Sequence, residues 1–204
     1  MIGICMKCGS WDWDKEVDGN MVRCPKCGHT WEKRTLPLFI LTGCSGVGKT
    51  TTAQCIQQKK VDFVVLDADI FYGRMELNSE EGYWKRVELV EQLTMNIMQS
   101  GRPVLWTMAG NLDLLPKVYC RRFFSKVKCL ALTCEEELLR KRMKEGRGIT
   151  DEGWIQSSVD YNEYFRTHDH HGDTYFETFD ISGKAPDEVA DYVIEWVKMN
   201  CLEK

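Results

Sequence analysis

From Leu36 onward, short apolar runs alternate with longer stretches in which apolar residues return every three or four positions. The runs Leu36–Leu41, Phe63–Leu66, Pro103–Thr107, Val127–Leu132 and Tyr175–Ile181 have the length and hydrophobicity of buried strands. Between them the spacing predicts helices. The first is Thr50–Gln58; the second carries Val87, Val90, Leu93 and Ile97, opens at Asn78 with Glu81 three residues on, and ends at Gly101. Asp113–Phe124 reads as a third, and Thr133 with Glu136 caps a fourth that runs to Lys144. After the polar segment Glu145–Thr150 come a helix to about Arg166 and a final amphipathic one with Val189, Val193, Trp196 and Val197. Such alternation implies an α/β fold of three layers, a parallel sheet with helices on both faces.

The first 35 residues break this pattern. Cys5-Met-Lys-Cys8-Gly9 and Cys24-Pro-Lys-Cys27-Gly28 are two Cys-x-x-Cys-Gly knuckles with fifteen residues between Cys8 and Cys24, the spacing of a zinc ribbon. Two residues between cysteines let both thiolates face one ion, and four cysteines closing its coordination imply a structural zinc site. A redox pair and a rubredoxin-like iron site are weaker alternatives. Val17-Asp18-Gly19-Asn20 before Met21 reads as a hairpin turn, and Trp11, Trp13 and Trp31 are expected to form the unit's small core. So short a unit depends on its metal for much of its stability. The reading is therefore a ribbon over residues 1–35 and a second domain over 36–204. Six basic residues against five acidic ones in the ribbon give +1, which favours a covering or partner-binding role over nucleic-acid binding.

The decisive motif is Gly43-Cys-Ser-Gly-Val-Gly-Lys-Thr50, which fits G-x-x-x-x-G-K-[ST] between a predicted strand and a predicted helix, the context of a P-loop NTPase. Backbone N–H groups can wrap a triphosphate only if the chain turns tightly without Cβ atoms in the way, which Gly43, Gly46 and Gly48 permit. Cys44, Ser45, Val47 and Thr51 complete the expected nucleotide-binding stretch. Lys49 is placed to neutralise β- and γ-phosphate charge, and the Thr50 hydroxyl to ligate Mg2+. Ligands of such sheets bind beyond the carboxyl ends of the strands, where Asp67-Ala-Asp69 follows the second strand. Asp67 is assigned mainly to magnesium and Asp69 to the acceptor hydroxyl, with a turn-capping role as the alternative for Asp69. Arg140, Arg142 and Arg147 precede or sit in a glycine-bracketed loop, a lid at about 145–152, where guanidinium groups can stabilise a transferring phosphoryl group. Arg140 is equally placed for an i,i+4 pair with Glu136.

These features together resemble the small P-loop kinases, the group holding shikimate kinase, gluconate kinase and the nucleoside and nucleoside monophosphate kinases. The resemblance covers about residues 36–200. It implies that Asp67 and Asp69 serve magnesium and the acceptor, that Gly110 and Asn111 approach the substrate, and that Gly183 and Lys184 pack beside the nucleotide base. Where the monophosphate kinases usually carry a further arginine, this chain reads Ile155-Gln-Ser-Ser-Val159, which points to an acceptor with a bare hydroxyl.

Composition narrows the picture. A chain of 204 residues that is 43% hydrophobic suits one α/β domain with an appendage, and a net charge of −4 argues against a general nucleic-acid binder. With no membrane-length apolar run and no signal-peptide pattern, a cytoplasmic protein with reduced thiols is expected. His168-Asp-His-His171 with Asp173 reads as a solvated turn, and Tyr83, Trp84, Tyr161 and Tyr164 as core aromatics. The resulting expectation is an ATP-dependent kinase acting, with Mg2+, on a nucleoside or similar polyol. The rivals are a polynucleotide 5'-hydroxyl kinase and an NTP-dependent switch.

Overall fold

The computed structural model describes residues 2–76 and 79–202. Three short strands, β1 (Glu16–Asp18), β2 (Met21–Arg23) and β3 (Thr30–Glu32), form an antiparallel sheet in which Asp18 pairs with Met21, leaving Gly19-Asn20 as a two-residue hairpin loop. The larger sheet contains β4 (Leu38–Thr42), β5 (Val64–Asp67), β6 (Val104–Thr107), β7 (Val127–Thr133), β8 (His170–His171) and β9 (Thr174–Asp180). Its order is β5-β6-β4-β7-β9-β8, parallel except for the β8–β9 pair. The order reverses at β4, so the loop after β4 lies at the switch point of the sheet. The helices are α1 (Lys49–Gln57), α2 (Glu80–Ile97), α3 (Glu136–Lys141), α4 (Glu152–Thr167) and α5 (Pro186–Leu202).

The alternation of β4 divides the core. Leu38 and Ile40 point into one cluster with Val87, Val90 and Trp106, while Phe39 and Leu41 point into another with Ile56, Leu130 and Trp196. One polar pair is folded into the first cluster: Trp106 Nε1 donates to Thr94 Oγ1 at 2.8 Å, and that hydroxyl donates to Val90 O.

Several local expectations change. No α-helix spans Asp113–Phe124; two 3-10 turns, Leu112–Leu114 and Tyr119–Phe123, stand there, because Pro116 has no N–H to continue a helical ladder. The predicted cap at Thr133 also fails: Thr133 is the last residue of β7, and the α3 N-cap is Glu135, whose N–H donates to Ser182 Oγ. Asn78 lies outside the described residues; the N-cap of α2 is Ser79, whose Oγ accepts from the Gly82 N–H.

The N-terminal unit has no closed core of its own. Trp11 is 73% and Trp13 50% exposed, whereas Ile2 and Val22 are buried in the same cluster as the first face of the large sheet, with Trp31 packed against it. A three-stranded sheet of three-residue strands offers one apolar face and needs a second layer. That layer is the 112–124 segment: Tyr119 Oη donates to Lys15 O at 3.0 Å, Trp13 meets Tyr119 edge-on, and Lys33 Nζ donates to Phe123 O. The unit thus covers the face that a helix between β6 and β7 would otherwise occupy.

Glu91 on α2 is fully buried, and neither carboxylate oxygen has a hydrogen-bond partner among the described residues. Burial pushes its carboxyl up to about 9, against the opposing charge of Arg121. The folded chain therefore holds a proton that the unfolded chain releases at about pH 4.3. This contribution is complete below that pH and is lost as pH rises through the folded value. Replacing Glu91 with Gln should flatten the decline: in urea melts across this range, wild type should lose stability relative to the variant as pH rises, and parallel curves would count against a protonated Glu91.

Candidate active site

A cavity of about 1020 Å3 opens at the carboxyl ends of β4, β5 and β6. Ser45, Gly46, Gly48, Lys49, Thr50 and Thr51 form its floor; Asp67, Asp69, Tyr72, Thr107 and Ala109 line one end; Arg142, Arg147 and Trp154 stand over it; Ile181, Lys184, Pro186 and Val189 close the other end. Gly43, Cys44 and Val47 lie beneath this surface and shape it. Gly43 has φ 134°, and a Cβ there would stand 2.6 Å from Leu132 O, so the loop passes directly over the end of β7. Cys44 and Val47 are fully buried.

Lys49 Nζ donates to Gly43 O and Cys44 O, each at 2.8 Å, and burial, the largest influence, lowers its pKa. The ammonium is thus held by its own loop at the place where phosphate oxygens would replace the carbonyls. Thr50 Oγ1 donates to Asp67 Oδ2 at 3.2 Å. Two oxygens on one edge of an octahedral magnesium site lie about 3.0 Å apart, so this pair fits the ion that travels with a nucleotide. Asp67 Oδ1 also accepts from the Asp69 N–H, which turns the Asp69 carboxylate toward the cleft. Partial desolvation and then the Asp67 charge raise the Asp69 pKa, opposed by Lys49, Arg86 and Arg147.

The arginines separate. Arg147 Nη1 donates to Ser45 Oγ at 2.5 Å and its guanidinium lies over the Trp154 ring; Arg142 Nη1 donates to Val47 O at 3.0 Å. Arg140 is not among the cleft residues: its Nε pairs with Glu136 at 2.7 Å and its Nη2 with Gln156. This corrects the assignment of Arg140 to the site. After Lys141 the helix opens into a π-helical turn, Arg142–Gly146, which rotates Arg142 toward the phosphate loop.

Gly110 and Asn111 make consecutive left-handed turns, at φ 74° and 56°, beyond β6. Neither lines the cavity; Thr107 and Ala109 do. Asn111 Oδ1 instead accepts from Arg86, a buried α2 residue that also donates to Ala109 O. Gly183 faces open space, while Lys184 lines the cavity over the Phe179 ring. Sequence reasoning missed Arg86, Tyr72 and Trp154. Arg86 sits within the periodic α2 pattern like any surface residue, and the two aromatics carry no motif.

Two other clusters were weighed from sequence. The four sulfurs of Cys5, Cys8, Cys24 and Cys27 lie within 4.8 Å of one another, with Cys5–Cys27 at 3.6 Å and Cys8–Cys24 at 3.8 Å. A tetrahedral zinc with bonds of about 2.3 Å has sulfur edges of about 3.8 Å, so the donor set fits. His168–His171 forms no such cluster among the described residues; His168 stacks on Tyr164, and His170–His171 pair with β9.

An AAA domain family model matches residues 40–163, more than half of the chain. The chain belongs to that AAA domain family. No curated protein sequence matches this AAA domain chain. Among solved structures it is similar to a sugar kinase from Janibacter sp. HTCC2649, at 18% identity and TM-score 0.59, covering 81% of this chain and 95% of the other. A gluconokinase from Sinorhizobium meliloti 1021 is similar at 13% identity and TM-score 0.59, covering 83% and 95%. The Mycobacterium tuberculosis APS kinase, solved with AMPPNP and APS, is similar at 16% identity and TM-score 0.54, covering 81% and 99%. The AAA domain of this chain therefore has the fold of P-loop kinases.

Gly43→Ala, whose Cβ cannot fit, should abolish nucleotide binding, whereas Arg140→Ala should leave it within about twofold, as for an exposed helix pair. Titration with a fluorescent ATP analogue checks both.

Proposed function

We propose that the protein is an ATP-dependent kinase that transfers the γ-phosphoryl group to a hydroxyl of a small molecule, a nucleoside or similar polyol. The observation that carries this reading is one cleft that gathers a phosphate loop, a Thr50–Asp67 pair suited to magnesium, a second carboxylate on Asp69, and the arginines 142 and 147. An NTP switch has no need of the second carboxylate at the acceptor end.

The loop amides and Lys49 hold the triphosphate, and Thr50 with Asp67 holds its magnesium. Held by these two residues, magnesium would supply charge neutralisation for the triphosphate. Asp69 orients the acceptor hydroxyl and takes its proton, a role suited to its raised pKa. Arg147 and Arg142 meet the negative charge that spreads over the transferring group. Lys184 and Pro186 flank the base end of the cleft. The four N-terminal cysteines hold a structural zinc, and that ribbon, with the kinase-like region from residue 36, makes up the chain. The setting proposed for this enzyme is the cytoplasm; no described helix is long and apolar enough to cross a membrane.

ADP release from Mg-ATP should be stimulated by one acceptor class in a panel of nucleosides, nucleoside monophosphates, sugar acids and 5'-hydroxyl oligonucleotides. Asp69→Asn should cut that stimulated rate by about 100-fold or more. Wild-type activity should fall on the acid side at a pH above the usual carboxylate range, because Asp69 works only when ionised. Slow hydrolysis indifferent to every acceptor and to Asp69→Asn would establish the switch instead. Separately, chelating the metal, or Cys24→Ser, should lower the melting temperature by about 5 °C or more; a melt unchanged by chelator would refute the zinc.

A further inference from the structure

Beneath the floor of the cleft, three parts of the chain meet on one side chain. Asn162, on the inner face of α4, is 2% exposed. Its Nδ2 donates to Cys134 O at 2.8 Å, and its Oδ1 accepts from Cys134 N at 3.1 Å. The same Oδ1 lies 4.0 Å from Cys44 Sγ, within reach of a thiol hydrogen bond. Cys134 is the first residue beyond β7, so its N–H and C=O have no further ladder partner, and the amide of Asn162 extends the strand by one residue. Cys44 is the second residue of the phosphate loop.

The consequence concerns the lid. Arg142 follows directly on α3, which β7 reaches through Cys134; Arg147 lies in the loop before α4 and rests on Trp154 in the first turn of α4, the helix that carries Asn162. Both limbs of the lid are therefore fastened at one amide directly under the phosphate loop. We propose that Asn162 is a positioning residue, which sets the height and angle of Arg142 and Arg147 over the transferring phosphoryl group by tying α4 to Cys134 and Cys44. This rests on the phosphotransfer reading above. The amide touches no reacting atom, and its effect passes through the lid arginines.

The test uses the full-length, metal-loaded chain. Asn162→Leu keeps the branch at Cγ, at a larger volume, and removes all three contacts. Acceptor-stimulated kcat should fall about 10- to 30-fold, the scale of coupling free energies between sites, while the affinity for an ATP analogue changes by less than about threefold. In an Arg142→Ala/Arg147→Ala background the same substitution should cost little more, because both arginines it positions are already gone. Additive losses would assign Asn162 to bulk stability and overturn the proposal.

Should the leucine variant fail to fold, Asn162→Asp supplies a second handle. Burial raises the pKa of a lone aspartate, and its protonated form can still donate to Cys134 O. The ionisable neighbours are the thiols of Cys44 and Cys134, both pushed up by burial, with the charge of Lys49 beyond Cys44 and those of Arg142, Asp180, Arg166 and Glu135 beyond Cys134. Activity relative to wild type should be near normal at about pH 6 and fall steeply by about pH 9. A ratio independent of pH would refute the hydrogen-bond mechanism. Hydrogen exchange across residues 142–154 with and without Mg-AMPPNP reads the tether without turnover: wild type should gain protection that the variants lose. If wild type shows that protection but no acceptor-stimulated ADP release, the kinase reading fails and the tether stands; if variants keep full protection, the tether fails whatever the activity.

Discussion

There is no clearance between the phosphate loop and the end of β7. With Leu132 O only 2.6 Å from where a Cβ at position 43 would be, the loop is pressed onto the neighbouring strand as a lid is pressed onto a rim. That contact requires β4 and β7 to keep their parallel register, Thr42 beside Ala131, and it fixes the direction in which the loop amides point. The Thr50–Asp67 pair, the Asp69 carboxylate and the guanidinium groups of Arg142 and Arg147 all take their distances from this seat.

How much of this was legible in the chain depends on the range over which each feature is determined. Gly43 to Thr50 carries its geometry locally, because the glycine positions and the lysine are dictated by one compact turn, and the strands on either side are plain apolar runs. The two cysteine knuckles are equally local. Asp67 and Asp69 follow from their place at a strand's end. By contrast, Arg86 reaches the acceptor side by the packing of α2 against the loop after β6, and nothing in the spacing of Val87, Val90 and Ile97 marks it.

Arg140 and Arg142 show the same limit from the other side. Arg140 is a candidate because it precedes the glycine-bracketed loop, but it lies in regular α3, where the i,i+4 step pairs it with Glu136. Arg142 instead opens the π-helical turn and meets Val47 O. The stretch from Asp113 to Phe124 is a related case. Its apolar spacing is helical, yet Pro116 removes a donor, and Tyr119 and Phe123 are held by Lys15 and Lys33, 104 and 90 positions earlier in the chain. Trp11 and Trp13, read as an inner core, are on the outside for that reason: the small sheet turns its apolar side to the larger domain.

The ribbon's position has a practical bearing on how such a chain can be handled and how it could have diverged. An N-terminal segment that fills the place of a missing helix cannot be trimmed as though it were a tag. Without it, Tyr119 and Phe123 would lose the contacts that cover them and add to a sticky patch, so less of the chain would be recovered in soluble form. Gene fusion or domain shuffling that moved the kinase-like part alone would have to supply a substitute wall at the same spot.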